Sequence, residues 1–179
     1  MKIRLLALSL CCVIQGCAQV DDYMLGKDNT AKPKELQQIE SKMNISQNWS
    51  SSVGRGYKGR EYLKLKPVIQ GDVIYTADAS GLVQATNKNK GTHEWTTQLS
   101  DGIVSGPAVS HGKIALGTSS SSVVLLEQAT GKELWKAKVS GELLSPPALS
   151  HQKVIAKTID GKVYAFDLAN GKTVWMVDH

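Results

Sequence analysis

Few side chains in these 179 residues can do covalent or metal chemistry, and their placement is uneven. All three cysteines, Cys11, Cys12 and Cys17, fall within the first 17 residues. His111 and His151 stand 40 residues apart, each in the first turn of an apolar stretch. A metal needs ligands that converge within a few ångströms. Equivalent turns on successive structural units fan apart, so both histidines read as turn residues. Arg55, Lys58 and Arg60 alternate with Tyr57 and Tyr62 in RGYKGREYLKLK, residues 55–66, which makes this stretch a candidate contact for an anionic partner surface. No paired carboxylates, histidine cluster or nucleophile motif rises above background. The reading is therefore non-enzymatic, with no catalytic residue, cofactor or metal assigned.

The elements that carry these residues begin with an N-terminus of distinct character. Lys2 and Arg4 precede an apolar run from Leu5 to Ile14, which is too short to span a bilayer as a helix and describes a secretory signal over residues 1–16. Its removal leaves Cys17 as the lone thiol, so neither a disulfide nor a cysteine metal site remains. It also removes Lys2 and Arg4, leaving 19 basic against 16 acidic groups, a net charge of +3 instead of +5. Export together with so small an excess argues against a nucleic-acid partner, despite the superficial fit of residues 55–66. Residues 17–48 are polar and mixed in charge, with one expected helical turn around Lys34 to Lys42, and read as a tether.

From Trp49 onward a repeat governs the chain. Trp95, Trp135 and Trp175 are spaced by 40 residues, as are Pro67, Pro107 and Pro147, and as are Gly91, Gly131 and Gly171. Three markers in register over three copies signal a solenoid or a propeller. Each copy divides into four short stretches of strand formers, as in PALS, KVIAKT, KVYAFDL and KTVWMV, separated by turn residues. Asp160-Gly161 is a tight-hairpin signal, and Gly91, Gly131 and Gly171 stand where a longer turn needs a left-handed residue. Ser119 to Ser122 replaces such a glycine hairpin in the middle copy. Four antiparallel strands per 40 residues describe one propeller blade, so the fold class is an all-β propeller with approximate blades at 67–99, 107–139 and 147–179. The repeated tryptophans, Trp49 included, are expected to fill the gap between neighbouring blades. The long 55–66 stretch is expected to be a loop, because Trp49 to Pro67 spans 18 residues where Trp95 to Pro107 spans 12.

Two resemblances add to this. Ile14-Gln15-Gly16-Cys17 resembles the bacterial lipobox, with Gln15 where the pattern prefers a small residue. The resemblance implies lipidation (a palmitate-type anchor) of Cys17, and Ala18 rather than an Asp after it implies sorting to the outer membrane. ATGKELW and ANGKTVW resemble the repeat of quinoprotein-type β-propellers; the Trp-Asp ending of WD-repeat propellers is absent, since Thr96, Lys136 and Met176 follow the tryptophans. Within that group, the lipobox, the tether and the opening stretch NWSSSVGRGYKGREYLKLKPVIQGDVIYTADASGLVQA are similar to the N-terminal part of the BamB family of outer-membrane protein assembly lipoproteins. The resemblance implies an eight-bladed scaffold, lipid-anchored on the periplasmic side of the outer membrane. Such a scaffold would bind the periplasmic domains of BamA and unfolded outer-membrane proteins and assist insertion of β-barrels. The alternative is a fragment of a quinone-dependent dehydrogenase that binds pyrroloquinoline quinone. That family uses a vicinal disulfide, a calcium site and a catalytic Asp, and the one vicinal pair here, Cys11-Cys12, lies in the signal.

Closed propellers use roughly four to eight blades, and three are expected here. Trp49 lies in a strand with no partners before it, as the closing strand of a ring's last blade would. The expectation is an incomplete ring, whose unpaired edges invite self-association, with the principal BamA-contacting loop of the family falling beyond residue 179.

Overall fold

The computed structural model describes residues 33–40, 43–55, 63, 65–143 and 145–178. Residues 33–40 are non-helical, so the helical turn expected around residues 34–42 is not formed over these residues. A single exposed turn without a packed face does not offset the cost of helix nucleation.

Twelve strands follow, and their alternation of apolar and polar residues explains both their type and their pairing. The first sheet comprises β1 (Val68–Gln70), β2 (Val73–Ala77), β3 (Leu82–Asn87) and β4 (His93–Gln98). The second comprises β5 (Ile103–Ser110), β6 (Lys113–Thr118), β7 (Ser122–Glu127) and β8 (Glu133–Lys138). The third comprises β9 (Ala148–Leu149), β10 (Lys153–Lys157), β11 (Val163–Asp167) and β12 (Thr173–Val177). Each sheet is an antiparallel meander in chain order. Among the described residues there is no helix, and the three sheets do not close into a ring.

The sheets stack face against face. Tyr75, Val83 and Ala85 of the first pack against Ile114, Leu116 and Val124 of the second. Ala115, Val123 and Leu125, on the other face of the second sheet, meet Val154, Ala156 and Phe166 of the third. Side chains alternate between faces along a strand, so the second sheet contributes one set of residues to each core. The first strands converge, with β5 touching both β1 and β9. The fourth strands lie at the far edges of their sheets.

Two local features recur with the 40-residue step. Register shifts fall at Ala85/Thr86, Leu125/Leu126 and Ala165/Phe166, beside the residues that pair with Trp95, Trp135 and Trp175. A bulge at that point re-aims the side chains of the fourth strand. The hairpin between second and third strands places Gly81, Ser121 and Gly161 at φ +93°, +52° and +88°. Ser121 thus takes the left-handed position that glycine fills in its sister turns.

Candidate functional site

The recurring bulge and turn build the same arrangement three times. Each tryptophan ring lies under a glycine of the next unit, and its indole N–H donates to a main-chain carbonyl of the same turn. Trp95 Nε1 donates to the Gln128 carbonyl at 3.1 Å and Trp135 Nε1 to the Leu168 carbonyl at 2.9 Å. Trp49 Nε1 donates to the Lys88 carbonyl at 2.8 Å, although Trp49 lies outside any strand. The glycines over these rings are Gly131, Gly171 and Gly91 respectively, and a Cβ on them would lie 2.5, 2.6 and 2.7 Å from a ring carbon. All three hold φ near +70°. Only a residue without a side chain fits both the backbone and the ring. Thr97 Oγ completes the Trp95 socket by donating to the Gly131 carbonyl at 2.8 Å. Trp175 has no such turn over it among the described residues and is 41% exposed, against 9% for Trp135.

A second construction holds the chain before the first sheet. Asp78 is buried at the end of β2. Its Oδ1 accepts from the Ser80 N–H at 2.9 Å, the Ser80 hydroxyl at 2.7 Å and the Leu82 N–H at 3.0 Å. Its Oδ2 accepts from the Arg55 N–H at 2.8 Å. Burial opposes its ionisation, and the hydrogen bonds from Ser80, Arg55 and Leu82 together outweigh that, holding its pKa below the usual carboxylate value. The Gly54–Arg55 turn thereby rests on the first sheet, and Ser51 Oγ lies 3.4 Å from His93 Nε2.

The expected site residues sort as follows. Trp49, Trp95 and Trp135 come together with Gly91, Gly131 and Gly171, each tryptophan with the glycine of the following unit. Arg55 is exposed, and what it contributes to the structure is its backbone N–H. Cys17, Lys58 and Arg60 lie outside the described residues. His111 and His151 correct the sequence reading: their ring centroids are 3.9 Å apart, at 40°. These turns join the first and second strands, where β5 touches both β1 and β9, so the equivalent turns of the second and third units meet there instead of fanning apart. Among the described residues no cluster of three or more metal-ligating side chains occurs.

Sequence reasoning missed Asp78 and the polar back of the first sheet, although both are visible once the units are laid in register. Asp78 occupies the position of Thr118 and Thr158. Thr76, Gln84 and Thr86 stand where the second sheet has Leu116, Val124 and Leu126. Beside the first strands lies a cavity of about 710 Å³, whose walls include Pro67, Pro107, Pro146, Lys66 and Glu142.

Comparison with known proteins places this geometry. The family model described as outer membrane protein assembly factor BamB matches residues 46–119 and 79–179. Outer membrane protein assembly factor BamB of Legionella pneumophila (strain Paris) is 61% identical over 126 residues, covering 70% of this chain and 33% of the relative. The protein of the same name from Escherichia coli (strain K12) is 31% identical over 124 residues, covering 64% and 30%. The chain thus spans about a third of the length of these curated relatives. Among solved structures, BamB from Moraxella catarrhalis superposes with a TM-score of 0.60 at 26% identity, over 67% of this chain and 37% of that one. A europium-containing methanol dehydrogenase reaches 0.54 at 24% identity, over 62% and 24%. That second likeness is one of fold alone. The three sheets are blades of a β-propeller.

Proposed function

The chain belongs to the family of the outer membrane protein assembly factor BamB, and from that premise we propose that it serves the β-barrel assembly machinery as a non-enzymatic scaffold. The observation that carries this is the family match across residues 46–179, which coincides with the three blades and with the turns that clasp one blade to the next. A surface held rigid by repeated sockets suits presentation of loops to a protein partner and needs no reacting group. In this reading, lipidated Cys17 anchors the chain to the periplasmic face of the outer membrane and residues 17–48 tether it. The propeller binds the periplasmic domains of BamA and unfolded outer-membrane proteins. One acyl chain gives only marginal membrane attachment, so stable anchoring needs more than one.

Affinity capture of the tagged full chain from detergent-solubilised outer membranes tests the partner. BamA is expected in the eluate, and its absence from repeated captures overturns the proposal. Palmitate labelling tests the anchor: label is expected on the chain and lost in Cys17→Ala. Changing Arg55, Lys58 and Arg60 to Glu tests the basic stretch; unaltered capture removes it from the contact. A stoichiometric complex with pyrroloquinoline quinone in a binding titration would overturn the non-enzymatic reading in favour of the dehydrogenase-like one.

A further inference from the structure

The two histidines that the fold brings into contact stand on turns fixed by their own main chain. His111 and His151 are both exposed, in the turns that lead into β6 and β10. The Gly112 carbonyl beside the first accepts from the Gln128 N–H at 3.0 Å, and the Gln152 carbonyl beside the second accepts from the Leu168 N–H at 2.9 Å. Gln128 and Leu168 are also the residues whose carbonyls take the indole N–H groups of Trp95 and Trp135. Each histidine turn is thus tied to a residue that already holds a tryptophan clasp. The Ser150 hydroxyl fixes the second turn further, accepting from the Lys153 N–H at 3.0 Å. His111 itself has φ +53°, a left-handed conformation that Gly71 takes at the same place in the first unit, at +61°. Non-glycine residues held in that region cluster at ligand-binding sites.

We propose that His111 and His151 together bind one divalent ion of the copper, nickel and zinc group, Cu²⁺ most tightly, and that this ion bridges the second and third sheets. Imidazole is a ligand common to these ions, and their affinity for a given nitrogen site peaks at Cu²⁺. Distance decides the geometry. An ion bonded to a ring nitrogen lies about 3.2 Å from the centre of that ring. Two imidazoles in adjacent positions of a tetragonal ion therefore have their centres about 4.5 Å apart, and in a tetrahedral one about 5.2 Å. The rings of His111 and His151 are 3.9 Å apart and tilted by 40°. They reach the tetragonal spacing by opening about 0.6 Å, which exposed side chains do by small rotations while the turns stay fixed. That shorter step favours Cu²⁺ and Ni²⁺ over tetrahedral Zn²⁺. Lys113 and Lys153, the nearest cations in sequence, stand opposite Glu127 and Asp167 in strand register, so an acid offsets each of them beside the site. With two protein ligands the other positions of the ion are left to water, and binding is weaker than at a closed structural site.

Electron paramagnetic resonance of the full chain in mild detergent, mixed with equimolar Cu²⁺, tests this. The expected spectrum is that of a tetragonal ion coupled to the nitrogens of two imidazoles. His111→Gly, which installs the residue of the first unit's turn, and His151→Ala should each remove one imidazole from the spectrum. Each should also weaken binding roughly tenfold or more in competition with free glycine. Cu²⁺ should raise the thermal midpoint of the parent and of neither variant, because only the paired site holds the two sheets together. His93→Ala, on β4, and His179→Ala should leave spectrum and affinity as they were. An equimolar mixture that shows only aqueous Cu²⁺ overturns the proposal. So does a two-imidazole signal that survives His111→Gly and His151→Ala, or one that His93→Ala or His179→Ala abolishes, since the ion would then sit elsewhere.

Discussion

Gly131 and Gly112 both hold φ at +70° and differ in what surrounds them. A Cβ on Gly112 meets nothing within 4 Å, whereas one on Gly131 would lie 2.4 Å from Thr97 Oγ1 and 2.5 Å from the Trp95 ring. Gly112→Ala therefore costs only the left-handed backbone, about 1–2 kcal/mol. Gly131→Ala adds displacement of a packed ring and loss of the Trp95 bond to the Gln128 carbonyl, for a total of roughly 3–4 kcal/mol. Urea unfolding of the two variants checks this, and equal midpoints would show that the ring contact contributes nothing. The 40-residue spacing made Gly131 stand out in the sequence. That its partner is a tryptophan of the preceding unit, 36 residues earlier and not its own Trp135, was not legible there, because it depends on how neighbouring sheets are offset.

At the scale of the element, the hairpin joining β2 to β3 shows how one side chain changes a repeated turn. The equivalent turns open on Thr118 and Thr158, whose hydroxyls lie within 3.4 and 3.1 Å of the Ser122 and Lys162 carbonyls. Asp78 instead gathers N–H groups from both its own turn and the segment around Arg55. Asp78→Ala leaves those N–H groups without their acceptor, at a cost of about 1–3 kcal/mol, and should free residues 46–55 to protease cleavage before the sheets unfold. The acid response has a definite sign. A carboxylate whose folded pKa lies below its unfolded value near 4 stabilises the chain above about pH 4 and loses that contribution as pH falls through the lower folded value. Thermal melts between pH 7 and 2.5 should thus fall less steeply for Asp78→Asn than for the parent; parallel curves would remove Asp78 from the acid response. Asp78 to Gly81 form the hairpin turn between β2 and β3, at the place where Asp160-Gly161 turns the third unit. The capture of a second segment by Asp78 lies in the tertiary arrangement, since Arg55 is 23 residues away.

At the largest scale, among the described residues, the two cores are separate and share only the second sheet. Such a stack is quasi-one-dimensional, each sheet leaning on its neighbours. Phe166 is fully buried in the core between the second and third sheets. Phe166→Ala should cost about 3–5 kcal/mol, felt first at the near end of the stack. Hydrogen exchange is expected to show amides of β9–β12 losing protection while those of β1–β4 retain it. Uniform loss across all three sheets would mean one cooperative unit, contrary to the division of the cores.

By itself the sequence determined the all-β class, the four-strand unit and the three copies, because the period-2 alternation within strands and the 40-residue step are properties of the chain alone. The glycines needing a left-handed turn were legible for the same reason: φ is a local variable. Only the tertiary structure decided which residues from different units meet. The tryptophan-to-glycine sockets, the contact of His111 with His151 and the anchoring of Arg55 on Asp78 all depend on the offset and convergence of adjacent sheets. Those follow from the packing of whole faces, and no local pattern encodes them. The polar back of the first sheet lies between these cases. Its residues are plain when the copies are aligned, but that Thr76 Oγ1 and Gln84 Oε1 are buried without a hydrogen-bond partner is not, because burial is a property of the assembled fold.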